Sequence, residues 1–303
     1  MDTGEGGKET GRTFPVSLSP YATIKIVMGR VGKRKPVARQ SSFKSIALLM
    51  LVPLAGIILF FLWNFLHGST APIAVLSSVM PQKKAPEIVL ILDDVGFDRQ
   101  PLATAMAIDP NINFAVLPNS RNGRDFAEVL HARGFEVLCH LPMEPQGYPT
   151  VSPGSGAVLT SMSDDEIARA TRANVGAVPF ARGVNNHMGS RATADRRVMA
   201  DVLGALPDGM YFIDSRTTGS SVAAPLAHAM RVKTASRNVF LDDVQSEPEI
   251  RKQLASLTHA AEEHGVAVGI GHMYPPTIRV LAAEAPALRA RGVRFVRASA
   301  VVN

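Results

Sequence analysis

The chain has 303 residues, a formal net charge of +6 and a single cysteine, Cys139. The first 45 residues carry nine basic and three acidic side chains, so this tail holds the whole net charge and the rest of the chain is neutral. The positive charge therefore does not indicate nucleic-acid binding. A single cysteine excludes an intramolecular disulfide, and the fold must be stabilised by its core alone.

A long apolar segment follows this basic tail. Residues 46–66 contain no charged side chain, and 21 residues of helix measure about 31 Å, enough to cross a hydrocarbon core of about 30 Å. We predict a disordered cytoplasmic tail at 1–45 and an uncleaved transmembrane signal anchor at 46–66. The positive-inside rule then places the remaining chain on the periplasmic or exterior side of the inner membrane. A cleaved signal peptide, with its shorter apolar core, is the alternative.

Residues 67–86 are rich in Ser, Ala and Pro and predict a linker to a domain at 87–303. Within this domain, short apolar runs predict buried strands that alternate with amphipathic helices. The alternation predicts an α/β fold, a distorted (β/α) barrel of about seven parallel strands, with an open doubly wound sheet as the alternative. The predicted strands are 88–92, 112–117, 135–139, 182–184, 210–213, 238–241, 266–270 and 293–296.

Helix boundaries are also visible in the sequence. Ser163 with Glu166, and Ser246 with Glu249, have the spacing of capping boxes at helix starts. Neither GxGxxG nor GxxxxGK[ST] follows the first strand, which argues against a nucleotide-binding fold. Further helices are predicted over 121–133, over 194–206, and from Pro275–Pro276 to a stop at Gly292.

Polar clusters follow five of the predicted strands. Because the carboxyl ends of parallel strands lie on one face of the fold, we expect the clusters to form one polar site. Their Asp, Glu and His residues suit acid–base chemistry and zinc ligation. The clusters are ILDD ending at Asp94, VLCHLPME ending at Glu144, NNHMG around His187, YFIDSRT around Asp214, and VGIGH ending at His272.

The adjacent Asp93 and Asp94 would point in opposite directions on a regular strand, so a turn is needed for both to face one site. Alone, the pair could equally cap the next helix. Pro142 excludes a helical arrangement of His140 and Glu144, and a rigid turn must present them.

Other candidates come from the remaining clusters. An Asp at the end of a strand, such as Asp214, can orient a histidine or an arginine. Asn185 and Asn186 suit binding of hydroxyl or acetamido groups, and His187 suits either a metal or a substrate. Asp242 and Asp243 are interpreted as caps of the helix near Ser246. Cys139 is interpreted as a buried apolar filler.

The ordered series LDDVG, HLPMEP, GVNNHMGS, FIDSRT and GIGH resembles the polysaccharide deacetylase superfamily, most closely its divergent branch, over about residues 87–303. The resemblance implies a distorted (β/α) barrel that removes N-acetyl groups from amino-sugar glycans with a divalent metal, usually zinc. It implies that Asp93 is the general base and His272 the catalytic acid. It also implies that Asp94 and His140 are metal ligands.

Two departures leave the third metal ligand open. Glu144 stands where the family has a second histidine, and Asn185, Asn186 and His187 replace its arginine and proline. We favour His187 as the third ligand, with Glu144 as the alternative.

The predicted function is therefore a membrane-anchored, envelope-located glycan deacetylase that binds no nucleic acid. The predicted partners are an N-acetylated glycan and the membrane. The alternative is a catalytically silent protein that binds cell-wall glycan or an envelope partner. The predicted site residues are Asp93, His272 and Asp214 for catalysis, Asp94, His140 and either His187 or Glu144 for the metal, and Asn185, Asn186 and Arg216 for the substrate.

Overall fold

The computed structural model describes residues 56–63, 65–66 and 84–303. Contacts divide the chain into two compact units, Met1–Met80 and Pro81–Asn303. In the first unit the described residues are helical and exposed. The predicted tail, most of the predicted linker and about half of the predicted anchor lie outside the described residues. No helix in the described part combines the length and the apolarity needed to cross a bilayer.

The second unit is built on one sheet of parallel strands. The strands are β1 (Glu87–Val95), β2 (Asn113–Val116), β3 (Glu136–Met143), β4 (Ala181–Met188), β5 (Tyr211–Asp214), β6 (Thr234–Ser236), β7 (Val239–Phe240), β8 (Val266–His272) and β9 (Arg294–Phe295).

Eight of these strands follow one path, in the order β6-β5-β4-β3-β2-β1-β8-β7, and β9 pairs with β1 beside it. All of the pairings are parallel. Since the two ends of the path, β6 and β7, are not paired with each other, the sheet is a half-barrel. The prediction of a parallel α/β fold is confirmed, with eight strands on the path instead of about seven. Strand β6 was not predicted, because its sequence, Thr-Ala-Ser, contains no run of large apolar residues.

Helices connect most of the strands, which is how successive parallel strands are usually joined. Several begin and end where the sequence predicted. The helices are α1 (Leu102–Met106), α2 (Gly123–Ala132), α3 (Asp164–Ala177), α4 (Arg196–Gly204), α5 (Ala223–Ala229), α6 (Glu247–His264) and α7 (Pro275–Ala290), with 3-10 turns at Ala192–Ala194 and Ala298–Ala300.

The helix caps agree with the sequence at one capping box and differ at the other. Glu166 accepts a hydrogen bond from the Ser163 backbone nitrogen (2.8 Å), which completes the predicted box at α3. Helix α6 does begin after Ser246, but that side chain forms no capping hydrogen bond. Helix α7 starts at Pro275, and Gly292 follows its end with a φ of 87°.

Alternation along the strands divides the core into two layers. Ile88, Leu90 and Leu92 belong to an apolar cluster shared with the helices. Val89 and Ile91 belong to a second cluster, which is made of strand residues and the C-terminal segment and fills the inner face of the half-barrel. Successive strand residues point to opposite faces. The inner row of β1 therefore continues to position 93 at the carboxyl end of the strand.

Near the amino ends of the strands, buried polar side chains form hydrogen bonds that tie the strands to the C-terminal segment and to one another. The Asn113 side chain donates to the Leu90 carbonyl oxygen (2.9 Å) and accepts from the Ala298 backbone nitrogen (2.9 Å). The Tyr211 hydroxyl donates to buried Glu136 (2.7 Å). Buried polar groups are stabilised when they are paired in this way. The C-terminal segment therefore seals one end of the half-barrel and leaves the carboxyl ends of the strands for chemistry.

The close approach of β4 and β5 gives a stability prediction. A Cβ added at Gly183 would lie 2.2 Å from the Tyr211 ring, whose hydroxyl is held by Glu136. Gly183→Ala should therefore lower the free energy of unfolding by about 1–3 kcal/mol, measured by urea denaturation. The control is Gly176→Ala on α3, where a Cβ meets no heavy atom within 4 Å. It should leave stability unchanged or raise it by up to about 1 kcal/mol. Equal stability of the two variants would contradict this packing.

Candidate functional site

Two adjacent carboxylates at the end of β1 face the same space. Asp93 continues the inner row of the strand and is buried. Asp94 has a left-handed backbone, with a φ of 58°, where the pairing register of β1 with β2 shifts. The His140 Nε2 atom lies 3.5 Å from Asp93 Oδ2 and 3.3 Å from Asp94 Oδ1. The local turn that the sequence required for this pair is therefore present, at a residue type that tolerates left-handed backbone.

The loop after β1 holds this turn in place. The Gln100 side chain donates to the Asp94 carbonyl oxygen (2.6 Å) and accepts from the backbone nitrogens of Gly96 (2.9 Å) and Phe97 (3.1 Å). Gly96 has a φ of 135°, and a Cβ there would lie 2.0 Å from Ser120 Oγ. Glycine is therefore required at this position, and the loop fixes the Asp94 backbone.

Three atoms with the chemistry of metal ligands meet at the carboxyl ends of β1, β3 and β4. Asp94 Oδ1 lies 3.0 Å from His187 Nδ1, and the same histidine nitrogen lies 3.2 Å from His140 Nε2. The ligand atoms of a tetrahedral zinc site, with bonds of about 2.1 Å, are about 3.4 Å apart. The three atoms therefore have the spacing that a single divalent metal requires.

The state of Asp94 Oδ1 supports this fit. The atom is buried, and although His187 Nδ1 lies 3.0 Å and His140 Nε2 3.3 Å from it, neither ring nitrogen directs an N–H at it with hydrogen-bond geometry. Buried polar atoms of native proteins are nearly always paired, and those that are not usually have a functional reason. A metal ion bound between Asp94, His140 and His187 would supply the missing partner.

Asn185 orients both Asp93 and His140. Its Nδ2 donates to Asp93 Oδ1 (2.8 Å), which leaves its Oδ1 facing His140 Nδ1 at 2.9 Å. An amide oxygen only accepts, so His140 Nδ1 carries a proton and His140 Nε2 presents its lone pair to the cluster. Because Asn185 is fully buried and committed to these bonds, the prediction that it binds substrate is wrong. It is a positioning residue.

The electrostatics of the cluster favour a cation. Burial raises the pKa of the Asp93 carboxyl above its ordinary value. Burial would also raise the pKa of Asp94, but the proximity of His140 and His187 outweighs it and lowers that pKa. For His140, burial opposes the charged form, yet Asp93 and Asp94 raise the pKa of the ring. Two carboxylates in a buried space attract positive charge, which a divalent metal carries.

His272 lies beside the cluster and is held by Asp242. Its Nδ1 is 2.9 Å from Asp242 Oδ1, and its backbone nitrogen donates to Asp242 Oδ2 (2.7 Å). Its Nε2 faces the cluster, 3.7 Å from Asp94 Oδ2. Burial alone would lower the pKa of His272, but the hydrogen bond and charge of Asp242 raise it to about 9. The arrangement favours a protonated imidazole beside the cluster.

The interpretation of Asp242 as a helix cap is therefore wrong. Its carboxylate binds His272 and also accepts from the Thr277 hydroxyl (2.7 Å). The sequence did carry a signal for this position. Asp242 lies two residues after Phe240, which packs against the inner cluster, so alternation places both on the inner face.

Glu144, the alternative third ligand, lies outside the cluster. Its Oε2 accepts from the Thr160 backbone nitrogen (2.5 Å) and hydroxyl (2.7 Å), and its Oε1 pairs with Arg191 (2.7 Å). Burial opposes ionisation of Glu144, but the bonds from Thr160 and Arg191 lower the pKa of its carboxyl. Both oxygens are thus used to join the loop after β3 to the segment before α4.

Asp214 also differs from its predicted role. Phe212, which precedes Asp214 by two residues on β5, packs in the apolar cluster that faces the helices. Because side chains alternate along a strand, Asp214 lies on that same face. Its oxygens accept from the Arg216 backbone nitrogen (2.8 Å) and the Ser221 hydroxyl (2.9 Å). Within the described part of the chain it forms no ion pair with a histidine or an arginine. Asp214 shapes the loop after β5 and does not touch the cluster.

Asn186 is likewise used internally. Its Oδ1 accepts from the Ser215 backbone nitrogen (2.9 Å), and its Nδ2 donates to the Met188 carbonyl oxygen (2.7 Å). The side chain is buried, and its amide is committed to these bonds. Asn186 nevertheless stands, like the exposed Arg216, in the wall of a cavity that contains Asp93 and His272, so the prediction that these two residues bind substrate stays a prediction.

Two cavities open onto the cluster. The larger, of about 440 Å³, contains Asp93, Asp94, the three site histidines His140, His187 and His272, and Arg216 in its wall. The smaller, of about 300 Å³, shares Asp94 and His187 with the first. The cluster therefore lies where the two cavities adjoin. A group bound in either cavity could reach it.

Several known proteins are similar to this chain. A family model described as divergent polysaccharide deacetylase matches residues 90–302. A protein of Escherichia coli (strain K12), called uncharacterized protein YibQ, is 39% identical over 198 residues, which are 65% of this chain and 61% of that protein. An uncharacterized protein of Haemophilus influenzae is 34% identical over 221 residues, 73% of this chain and 76% of its own length.

A solved structure is also similar. Uncharacterized protein ATU2773 from Agrobacterium tumefaciens C58 has a TM-score of 0.67 and 21% sequence identity, and the match covers 74% of this chain and 92% of that one. At this identity the likeness shows the fold alone. The chain spans less than two thirds of the Escherichia coli relative, so a whole-protein activity does not carry over from it.

The arrangement of Glu144 and His187 gives a direct prediction for metal binding. His187→Ala should weaken zinc binding by at least about 100-fold, because loss of a ligand should exceed the 10–100-fold cost of losing an outer positioning group. Glu144→Gln should retain zinc, since neither Glu144 oxygen faces the cluster. Zinc affinity of the purified full-length chain is the measurement. Loss of zinc in the Glu144 variant, with normal affinity in the His187 variant, would reverse the assignment.

Proposed function

We propose, because the chain belongs to the divergent polysaccharide deacetylase family, that it is a metal-dependent hydrolase that removes N-acetyl groups from amino-sugar glycans. One observation carries this proposal: a three-ligand cluster lies in the same cavity as an additional carboxylate and an additional imidazole. The cluster of Asp94, His140 and His187 would hold the metal. Asp93 and His272 are left to move protons.

The reaction consumes water and yields acetate and a free amine. When bound, a divalent metal supplies Lewis-acid polarisation of the acetamide carbonyl and lowers the pKa of water. We assign proton removal to Asp93. Its contacts support this role, because Asn185 binds Asp93 Oδ1, and Asp93 Oδ2 lies 3.5 Å from the metal-facing nitrogen of His140. Removing that proton as the new C–O bond forms is the work of a general base.

We assign proton donation, the last step of the reaction, to His272. Asp242 accepts from its Nδ1, so its Nε2 is the nitrogen that faces the cavity. Proton donation from Nε2 to the leaving nitrogen, as the C–N bond breaks, releases a neutral amine in place of an amide anion. Asp242 keeps the ring in one orientation throughout, as an outer carboxylate commonly does for a functional histidine.

We also propose that the protein acts in the cell envelope. The nine basic residues before the uncharged segment 46–66 support a membrane-anchored chain whose hydrolase domain faces the periplasm or exterior. The glycans of the cell wall lie in that compartment, and they carry the N-acetyl groups that the proposed reaction removes.

Acetate release tests the two proton-transfer roles. Asp93→Asn and His272→Ala should each lower the rate of acetate release from N-acetylated oligosaccharides by about 10²–10⁴-fold while zinc stays bound. Asp165→Asn, on the exposed face of α3, removes a carboxylate in the same way and should leave the rate unchanged. If both site variants remain fully active, the assigned roles are wrong. If the zinc-loaded wild type binds glycan without releasing acetate, the silent alternative is correct.

Topology is tested by reporter fusions. An alkaline phosphatase fused after residue 303 should be active, since that enzyme needs an oxidising compartment, and the same reporter fused before Lys33 should be inactive. A cytoplasmic reporter should give the reverse result. Activity of the phosphatase only at the early position would overturn the proposed orientation, and release of soluble protein would indicate a cleaved signal.

A further inference from the structure

A second chemical feature of the cavity bears on which glycan it accepts. Two arginines, Arg216 and Arg237, stand in the wall of the 440 Å³ cavity that contains Asp93 and His272. Neither forms an ion pair with a carboxylate within the described part of the chain. Asp243 lies in the same wall and is exposed, and it acts on Arg237 only through longer-range attraction. The cavity wall therefore carries two guanidinium groups that are not paired with a carboxylate.

The backbone around Arg216 is fixed in an uncommon conformation. Arg216 has a left-handed φ of 47°. Its backbone nitrogen donates to Asp214 Oδ1 (2.8 Å), and its carbonyl oxygen accepts from Arg237 Nη2 (2.8 Å). A non-glycine residue in this region is uncommon, and here it is held by these two hydrogen bonds. The exposed guanidinium of Arg216 forms no hydrogen bond with any described residue, so the loop presents it to the cavity.

Arg237 is held beside it. Its Nε donates to the Ser215 carbonyl oxygen (2.6 Å), and its guanidinium lies 4.9 Å from the centre of the Phe240 ring. Burial lowers the pKa of Arg237, and the neighbouring charge of Arg216 lowers it further. Asp214, Asp93 and Asp243 attract Arg237 only at longer range and do not pair with it, so two like charges remain side by side. A guanidinium binds carboxylate or phosphate oxygens in a planar geometry.

The cavity on the other side of the cluster is different. Apart from the shared Asp94 and His187, its lining is neutral and includes Phe97, Asn119, Ser120 and Ser155. No lysine or arginine lines it. The two cavities that meet at the cluster would therefore suit chemically different parts of one bound molecule, a neutral part and an anionic part.

We propose that Arg216 and Arg237 form a subsite for a negatively charged oxygen substituent of the glycan, so that the preferred substrate carries a carboxylate or phosphate close to the N-acetyl group. This inference rests on the proposed function. The anion would pair with Arg216, while Arg237 holds the Arg216 loop and adds positive charge. The subsite selects among N-acetylated sugars, and the cluster performs the hydrolysis on whichever sugar is bound.

The test compares two glycans with the full-length, zinc-loaded protein. One is a neutral chitin oligosaccharide, and the other is a peptidoglycan glycan strand whose muramic acid residues carry a carboxylate. The wild type should favour the carboxylated strand in kcat/KM. Arg216→Gln should reduce the ratio of the two kcat/KM values by about tenfold, the loss of one charged hydrogen bond. Arg172→Gln, an exposed arginine of α3 away from the cavity, removes the same charge and should keep the wild-type ratio.

A binding measurement separates this inference from the proposed function. Calorimetry with N-acetylmuramic acid and its neutral carboxamide requires no turnover. Stronger binding of the acid by the wild type, lost in Arg216→Gln, supports the subsite even if neither glycan releases acetate. Deacetylation with an unchanged ratio in Arg216→Gln, or equal binding of acid and amide, overturns the subsite and leaves the hydrolase intact. A phosphorylated sugar that displaces the acid would identify phosphate as the preferred anion.

Discussion

The left-handed backbone at Asp94 is the constraint on which the site depends. Regular strand geometry would send Asp93 and Asp94 to opposite faces of the sheet, one to the inside and one to the helices. The turn brings both carboxylates to His140. Such a backbone is unfavourable for most side chains, by about 1–2 kcal/mol, and it persists because Gln100 and Gly96 fix the loop around it. A change in that loop would disperse the cluster without touching a ligand.

Two side chains outside the cluster set the direction of His140 and of the adjacent His272. Asn185 bridges Asp93 and His140, and Asp242 binds His272. Each uses both ends of its functional group, so each ring has one orientation and one nitrogen directed at the cavity. Buried polar networks of this kind are stabilising only when every member is satisfied. The exception is Asp94 Oδ1, which has no hydrogen-bond partner among the described residues and marks the place for a cation.

The sequence predicted much of this arrangement, and two of its errors share one physical cause. Polar residues after apolar runs pointed to the candidate cluster that the structure brings together, and the need for a turn at Asp93–Asp94 followed from strand geometry. Asp214 was assigned to the site although it shares the helix-facing side with Phe212, and Asp242 was assigned to a cap although it shares the inner side with Phe240. Successive residues of a strand point to opposite faces, and continuing this alternation past the end of the strand assigns both aspartates to the correct face. Alternation could not decide whether Glu144 or His187 is the third metal ligand. Glu144 is excluded because its carboxylate is bound by Thr160 and Arg191, and the sequence does not show that these residues lie beside it in the fold.

The central claim is that Asp94, His140 and His187 together bind one divalent metal. Anomalous X-ray diffraction at the zinc edge, from crystals of the full-length protein supplied with zinc, tests it most directly. The claim predicts one strong peak about 2.0–2.2 Å from Asp94 Oδ1, His140 Nε2 and His187 Nδ1, with a fourth position open to the cavity. A peak bound by Glu144 in place of His187, or no peak in the cavity, would contradict it.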